Sequence, residues 1–370
     1  MPERAKAIEK KRLVHLAPNA FSLRSAKMTV GVLRYGYHEP VAVIDPEQAG
    51  KTAEEVVGCG GDTPVVATLE ETLKFGPEAV LVGIAPAGGR LPADMKETLL
   101  RAIEHGLDVY AGLHDFLEDD PDISAAAAQR GVRLWDIRKP PGGLPVGGAR
   151  CRNAKSYIAL MVGSDCAIGK MTAALEIDRA AHRKGIKTEF IATGQCGIAI
   201  AGWGSPVDAI PGDFMAGCVE RDVLSADGDA EIILVEGQGA LLHPGYSAVT
   251  LGLLHGACPD GLILNHMVTR KTVTSNPDIR IPALAEVVRL YQELAAPMKP
   301  TALVGTALNT FGLSESEARR AVSEAEDSLG VPATDPVRYG AEKLVEALQQ
   351  HRREVGKHTS DAAEATASGT

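Results

Sequence analysis

Residues Gly163-Ser-Asp-Cys-Ala-Ile-Gly-Lys-Met-Thr172 follow the apolar run Tyr157–Val162 and lead into a helix-forming stretch, Thr172–Lys184. Strand, glycine-bounded loop carrying Gly-Lys, then helix is the order a phosphate-binding P-loop requires. Glycines let the backbone turn its N–H groups around an anion, and the helix N-terminus adds partial positive charge. Lys170 supplies a full charge against phosphate oxygens. Two features depart from the common pattern. Five residues instead of four separate Gly163 from Gly169, and the hydroxyl of Thr172 stands one position late. Ligand binding is assigned to the whole loop: Gly163, Ser164, Asp165, Cys166, Ala167, Ile168, Gly169, Lys170, Met171 and Thr172.

Around this loop the chain alternates strand and helix twice over. Leu13–Ala17, Val41–Ile44, Ala79–Ala85, Asp108–Ala111 and Val132–Trp135 read as buried strands, with helices over Ser25–Tyr35, Thr68–Lys74 and Ala93–His105. The Pro/Gly-rich segment Lys139–Gly148 punctuates the pattern. Beyond it, strands over Thr188–Ala192, Ile232–Val235, Gly261–Asn265 and Pro300–Val304 alternate with helices near Phe214–Ser225, Pro282–Leu294, Glu315–Leu329 and Arg338–Gln350. Helical spacers between strands imply parallel pairing. The expected architecture is α/β: a Rossmann-like domain over 1–140, a linker over 141–150 and a P-loop domain over 151–350, both with mainly parallel sheets. The Ala/Ser/Thr-rich stretch 356–370 is expected to be disordered.

Bulk properties narrow the function. Among 370 residues the formal charge is −10, and no basic stripe offers a nucleic-acid surface. No apolar run reaches the length of a membrane span, and Leu13–Ala17 is too short for a signal-peptide core. The six cysteines are scattered, without a C-x-x-C pair or zinc spacing, so reduced thiols in the cytoplasm are expected and no metal is.

Polar loops close each strand of the second half, on the rim where open α/β sheets bind ligands. Val235-Glu-Gly-Gln-Gly239 ends a hydrophobic strand with a carboxylate and two glycines that permit close backbone approach. Glu236 is therefore the first candidate for an acid–base or metal-orienting role, with Asp213 second; Glu220, His243 and His266 are further candidate bases. Gln195, Gly237, Gln238, His266, Arg270 and Lys27 are assigned to substrate binding. Lys27 enters because Ala26-Lys-Met-Thr29 echoes Gly169-Lys-Met-Thr172. Glu118–Asp122 reads as a solvated acidic loop, and Cys166 and Cys196 as apolar-flanked thiols.

The pattern Gly-x-Asp-x-x-Ile-Gly-Lys, with Glu-Gly at a later strand end, resembles dethiobiotin synthetase and related P-loop enzymes, whose acidic positions Asp165 and Glu236 match. A closer resemblance spans nearly the whole chain. Gly163–Thr172, Thr193-Gly-Gln195, Val235–Gly239 and Leu81-Val-Gly-Ile-Ala-Pro-Ala-Gly-Gly89 are similar to a prokaryotic family long catalogued without a function. It pairs a Rossmann-like domain with a P-loop domain and includes D-glutamate N-acetyltransferases. This resemblance implies acetyl-CoA as co-substrate and an acidic amino acid, D-glutamate first, as acceptor. The P-loop alone leaves two other classes open: an ATP- and Mg²⁺-dependent ligase, carboxylase or kinase, and a non-catalytic nucleotide-regulated protein. A homodimer is the expected assembly.

Overall fold

The computed structural model describes residues 8–84 and 89–367, with 357–367 described by their backbone alone. Ala85 and most of the glycine-rich end of the Leu81–Gly89 motif therefore lie outside the described residues. By contact density the chain forms two units. Of the described residues, one comprises those up to Pro141 together with Gly194–Ala209, and the other comprises Gly142–Thr193 and those from Ile210 onward.

In the N-terminal unit the order is β1 (Arg12–Leu16), α1 (Lys27–Tyr35), β2 (Glu39–Ile44), α2 (Ala53–Val57), β3 (Val65–Val66), α3 (Leu69–Leu73), β4 (Ala79–Val82), α4 (Ala93–Glu104), β5 (Asp108–Ala111), α5 (Pro121–Arg130) and β6 (Leu134–Asp136). The strands line up as β3-β2-β1-β4-β5-β6, all parallel, which is the doubly wound Rossmann order. β2 and β4 flank β1 as parallel neighbours, as the alternation requires. Val14, Leu16, Val80, Val82 and Val109 bury one face against Leu99, Ile103 and Ile123. His15, Leu81 and Tyr110 are buried on the other. Burial on both faces explains why these strands read as continuous apolar runs. The acidic run at 118–122 is not merely a solvated loop. Asp120 accepts from the N–H groups of Asp122 and Ile123 and caps α5, with Pro121 at its first position.

The second unit contains β7 (Tyr157–Gly163), α6 (Lys170–Arg183), β8 (Thr188–Ile191), α8 (Gly212–Ala226), β9 (Ile232–Val235), α9 (Ser247–Ala257), β10 (Gly261–Met267), a hairpin of β11 (Thr272–Val273) and β12 (Asn276–Arg280), α10 (Leu284–Ala295), β13 (Ala302–Asn309), α11 (Glu315–Leu329), β14 (Ala333–Thr334) and α12 (Glu342–Ala367). Helix α7 (Gln195–Ala201), between β8 and α8, belongs to the N-terminal unit. The sheet order is β14-β13-β10-β7-β9-β8, again parallel throughout. β7 is buried along its whole length. Both sheets thus have the expected class, whereas the linear reading of 151–350 as one block did not anticipate the excursion of 194–209. The stretch expected to be disordered is helical through Ala367.

Candidate active site

The phosphate loop leaves the carboxyl end of β7, which lies between β10 and β9. Register places Asn265 opposite Gly163 on one side and Val235 opposite Leu160 on the other. Glu236 and His266 consequently flank the loop from neighbouring strands.

Close backbone approach is built in. A Cβ on Gly237 would stand 1.8 Å from the Met161 carbonyl oxygen and 2.8 Å from Lys170 Cδ. Ala167 and Gly169 take left-handed φ values of 51° and 112°, turning the chain into the first residue of α6. That residue is Lys170, 6% exposed, with Nζ donating to the Asp165 carbonyl at 2.8 Å. Burial lowers its pKa to about 8, against the opposing pull of Cys166, Asp165 and Glu236. A buried ammonium at the head of a helix, behind a glycine-bounded loop, fits an anionic ligand.

Asp165 is fully buried. Its Oδ2 accepts from the Thr274 N–H at 2.8 Å, the Thr274 hydroxyl at 2.7 Å and Arg270 at 2.5 Å. Burial works to raise its pKa, but hydrogen bonds from Thr274, the Cys166 N–H and Arg270 hold it below the ordinary carboxylate value. The Asp165–Thr274 bonds clamp the β11–β12 hairpin to the loop. Cys166 is half-buried, and burial pushes its thiol up to about 11, so it stays protonated. Asp165, Cys166 and His243 bring oxygen, sulfur and nitrogen atoms within 4.8 Å of one another. His243 spends both nitrogens on protein, Nδ1 accepting from Gly245 N–H at 3.1 Å and Nε2 facing the Thr274 carbonyl at 3.2 Å. As arranged, this trio offers a metal an incomplete set of lone pairs.

On the other flank, the Ser164 hydroxyl and His266 Nδ1 lie 2.8 Å apart. Burial, with Lys271 and Arg270 adding to it, lowers the His266 pKa to about 4, so the ring is neutral at physiological pH. Glu236 is 2% exposed; its Oε2 accepts from Thr193 N–H at 2.8 Å, and its carbonyl accepts from the Thr193 hydroxyl. Tyr291, buried under the loop, donates to the Gly163 carbonyl at 2.8 Å.

Other residues singled out in the sequence take the following places in the fold. Asp213 is exposed in the first turn of α8. Glu220 is fully buried and accepts from Arg150 Nε at 2.7 Å and from the Gly148 and Arg150 N–H groups, which pins the segment before β7. Gln195 opens α7 and Lys27 opens α1, both in the N-terminal unit. Lys27 is exposed where its echo Lys170 is buried. Gln238 is half-buried, its carbonyl taking the Thr250 hydroxyl. Thr172 faces a different feature, a cavity of about 470 Å³ lined also by Gly169, Asn309, Phe311 and Val337. Thr274 was missed: its only sequence signal is the turn Ser275-Asn276-Pro277, too short to announce a hairpin.

A Rossmann-like unit joined to a P-loop unit with a buried lysine defines the class. The description "Domain of unknown function (DUF1611_C) P-loop domain" matches residues 145–345, and the corresponding "Rossmann-like domain" matches 46–140. The chain is 41% identical to a D-glutamate N-acetyltransferase of Tritonibacter scottomollicae, over 79% of this chain and 87% of that one. It is 33% identical to a D-glutamate N-acetyltransferase of a Pseudoalteromonas species, over 75% and 83% respectively. A crystal structure of a DUF1611 family protein from Anabaena variabilis superposes with a TM-score of 0.87 at 38% identity, over 92% of this chain and all of that one. The chain belongs to the DUF1611 family and, with these relatives, to the acyltransferase class of enzymes. Among the described residues no helix is long and apolar enough to cross a membrane.

Proposed function

We propose that this protein moves acetyl from acetyl-CoA to the amino group of D-glutamate. The observation that carries the reading is the buried Lys170 at the head of α6, behind a glycine-bounded loop, within a chain whose relatives bear that activity in their names. In the reaction the amine nitrogen attacks the thioester carbonyl, the C–S bond breaks, and CoA leaves as its thiol. The substrate ammonium must first lose a proton. Backbone N–H groups of Gly163–Thr172 and Lys170 hold the CoA phosphates. For the proton, the geometry favours His266 over Glu236. His266 is half-buried and oriented by Ser164, whereas Glu236 is shut in with one oxygen on the Thr193 N–H. Burial, Lys271 and Arg270 make the free His266 a weak base, and the substrate carboxylates would offset those two cations. Glu236 then serves as one of the groups that favour the protonated form of Lys170 before an anion binds. Arg270 and the exposed Lys271 supply positive charge for the substrate carboxylates. Direct attack needs no cysteine, consistent with a protonated Cys166. The homodimer belongs to the same proposal; a monomeric mass by light scattering, with full activity, would remove it.

Release of CoA thiol is followed with and without D-glutamate, and again with ATP–Mg²⁺ alone. Amino-acid-dependent thiol release without ATP is the expected result. Phosphate or ADP release with no acetyl transfer hands the site to a dethiobiotin synthetase-type ligase.

A further inference from the structure

The cavity of about 470 Å³ beside the phosphate loop has no part in the chemistry above. Its volume falls within the range of about 300–1,000 Å³ typical of small-molecule sites. It starts where the loop ends: Ile168, Gly169 and Thr172 form one wall, and Asn309 Nδ2 reaches the Ile168 carbonyl at 3.3 Å. The far wall is made of the segments following β13 and β14. Asp335 fixes these two segments to each other. Its Oδ2 accepts from the Thr310 N–H at 3.0 Å and from the Thr310 hydroxyl, and its Oδ1 accepts from the N–H groups of Val337 and Arg338. Asn309 is spent similarly, its Oδ1 taking the Phe311 N–H at 3.0 Å. The polar groups at the cavity floor therefore hold the frame.

On this frame two large apolar side chains stand open, Phe311 at 66% and Val337 at 55% exposure, and both line the cavity. An aromatic face and an aliphatic face on a rigid polar frame suit a flat heteroaromatic ring. Continuity with the phosphate loop requires that ring to be attached to phosphate. We propose that this cavity holds the adenosine end of the nucleotide ligand, here that of acetyl-CoA, with Phe311 stacked on the base. The inference rests on the acetyl-CoA reading for the identity of the ligand, and on the cavity alone for its adenosine.

Calorimetric titration of the full-length protein with acetyl-CoA, acetyl-phosphopantetheine and ATP–Mg²⁺ tests it. Acetyl-phosphopantetheine keeps the thioester and the pantetheine phosphate but lacks adenosine together with its 5′- and 3′-phosphates. Phe311→Ala, at an exposed position, should weaken acetyl-CoA binding about tenfold and leave acetyl-phosphopantetheine unchanged. Phe311→Tyr should restore acetyl-CoA affinity. Equal loss for both acetyl donors, no loss for acetyl-CoA, or parental protein that binds the two equally well overturns the proposal. A Phe311-dependent ATP affinity without acetyl-CoA binding keeps the adenosine cavity and rejects acetyl-CoA as its occupant. Phe311-dependent acetyl-CoA binding without acetyl transfer keeps the cavity too, and refutes only the acetyltransferase reading.

Discussion

Lys170 lies in a conflict that Lys170→Met should expose. Its ammonium is buried and its pKa is lowered from 10.5 to about 8, a difference of about 2.5 units. At 1.36 kcal/mol per unit this puts the cost of holding the charge in the ligand-free protein at about 3 kcal/mol. The sign follows from linkage: the folded pKa lies below the unfolded one, so the penalty is complete at pH 7. It fades as pH rises from about 8 toward 10.5, where the folded protein has already shed the proton. Methionine fills a similar volume without charge. Lys170→Met should therefore stabilise the ligand-free protein at pH 7 by up to about 3 kcal/mol and show a shrinking advantage above pH 8. The same change removes a charge-assisted phosphate contact and should weaken acetyl-CoA binding by about 2–3 kcal/mol. Urea unfolding at pH 7 and pH 10, paired with calorimetric titration, reads both effects. A Lys170→Met protein that is less stable at pH 7 and binds acetyl-CoA as tightly as its parent refutes the argument on both counts.

Other expectations follow from the same geometry. Gly237→Ala forces a methyl group against the Met161 carbonyl of the central strand and should lower stability by about 1–3 kcal/mol, visible in the urea midpoint. His266→Gln should reduce turnover by about two to four orders of magnitude with acetyl-CoA affinity nearly intact, and a larger loss in Glu236→Gln would return the base to Glu236. His15 is fully buried with neither ring nitrogen bonded among the described residues, and burial, with His38 adding to it, lowers its pKa to about 3. Because its folded pKa is below 6.5, stability should fall as pH drops from 6.5 toward 3, by about 5 kcal/mol from this group; His15→Leu should flatten that acid limb in unfolding measured at pH 4 and pH 7.

Both sheets were legible because buried parallel strands write uninterrupted apolar runs, and the phosphate loop because its glycines and lysine have fixed spacing. Helix α9 was not legible. Ser247–Ala257 is apolar on most sides and carries glycines at 252 and 256, so it lacks an amphipathic stripe and scores poorly as helix. Those glycines are there for packing on α8: a Cβ at Gly256 would lie 2.4 Å from the Ala216 carbonyl. Helix α7 was hidden by its seven-residue length and by Gly194 before it. At the site, sequence found the charged residues but not their allegiance. Glu220 looks like Glu236 in a string of letters, and only the fold assigns one to the Gly148–Arg150 segment and the other to Thr193, within electrostatic reach of Lys170.

The excursion of 194–209 has a practical bearing on dissecting the protein. A fragment begun at Gly142 looks like a clean P-loop domain from its family match, yet it still contains α7. Ile198, Ile200 and Trp203 are buried in the N-terminal unit, and in that fragment they would have nothing to bury against. Such a fragment would display an adhesive apolar loop and tend to precipitate. Separate expression of the P-loop half calls for bridging Thr193 to Ile210 with a short polar linker, and the N-terminal half is complete only when α7 is supplied to it as a second piece of chain.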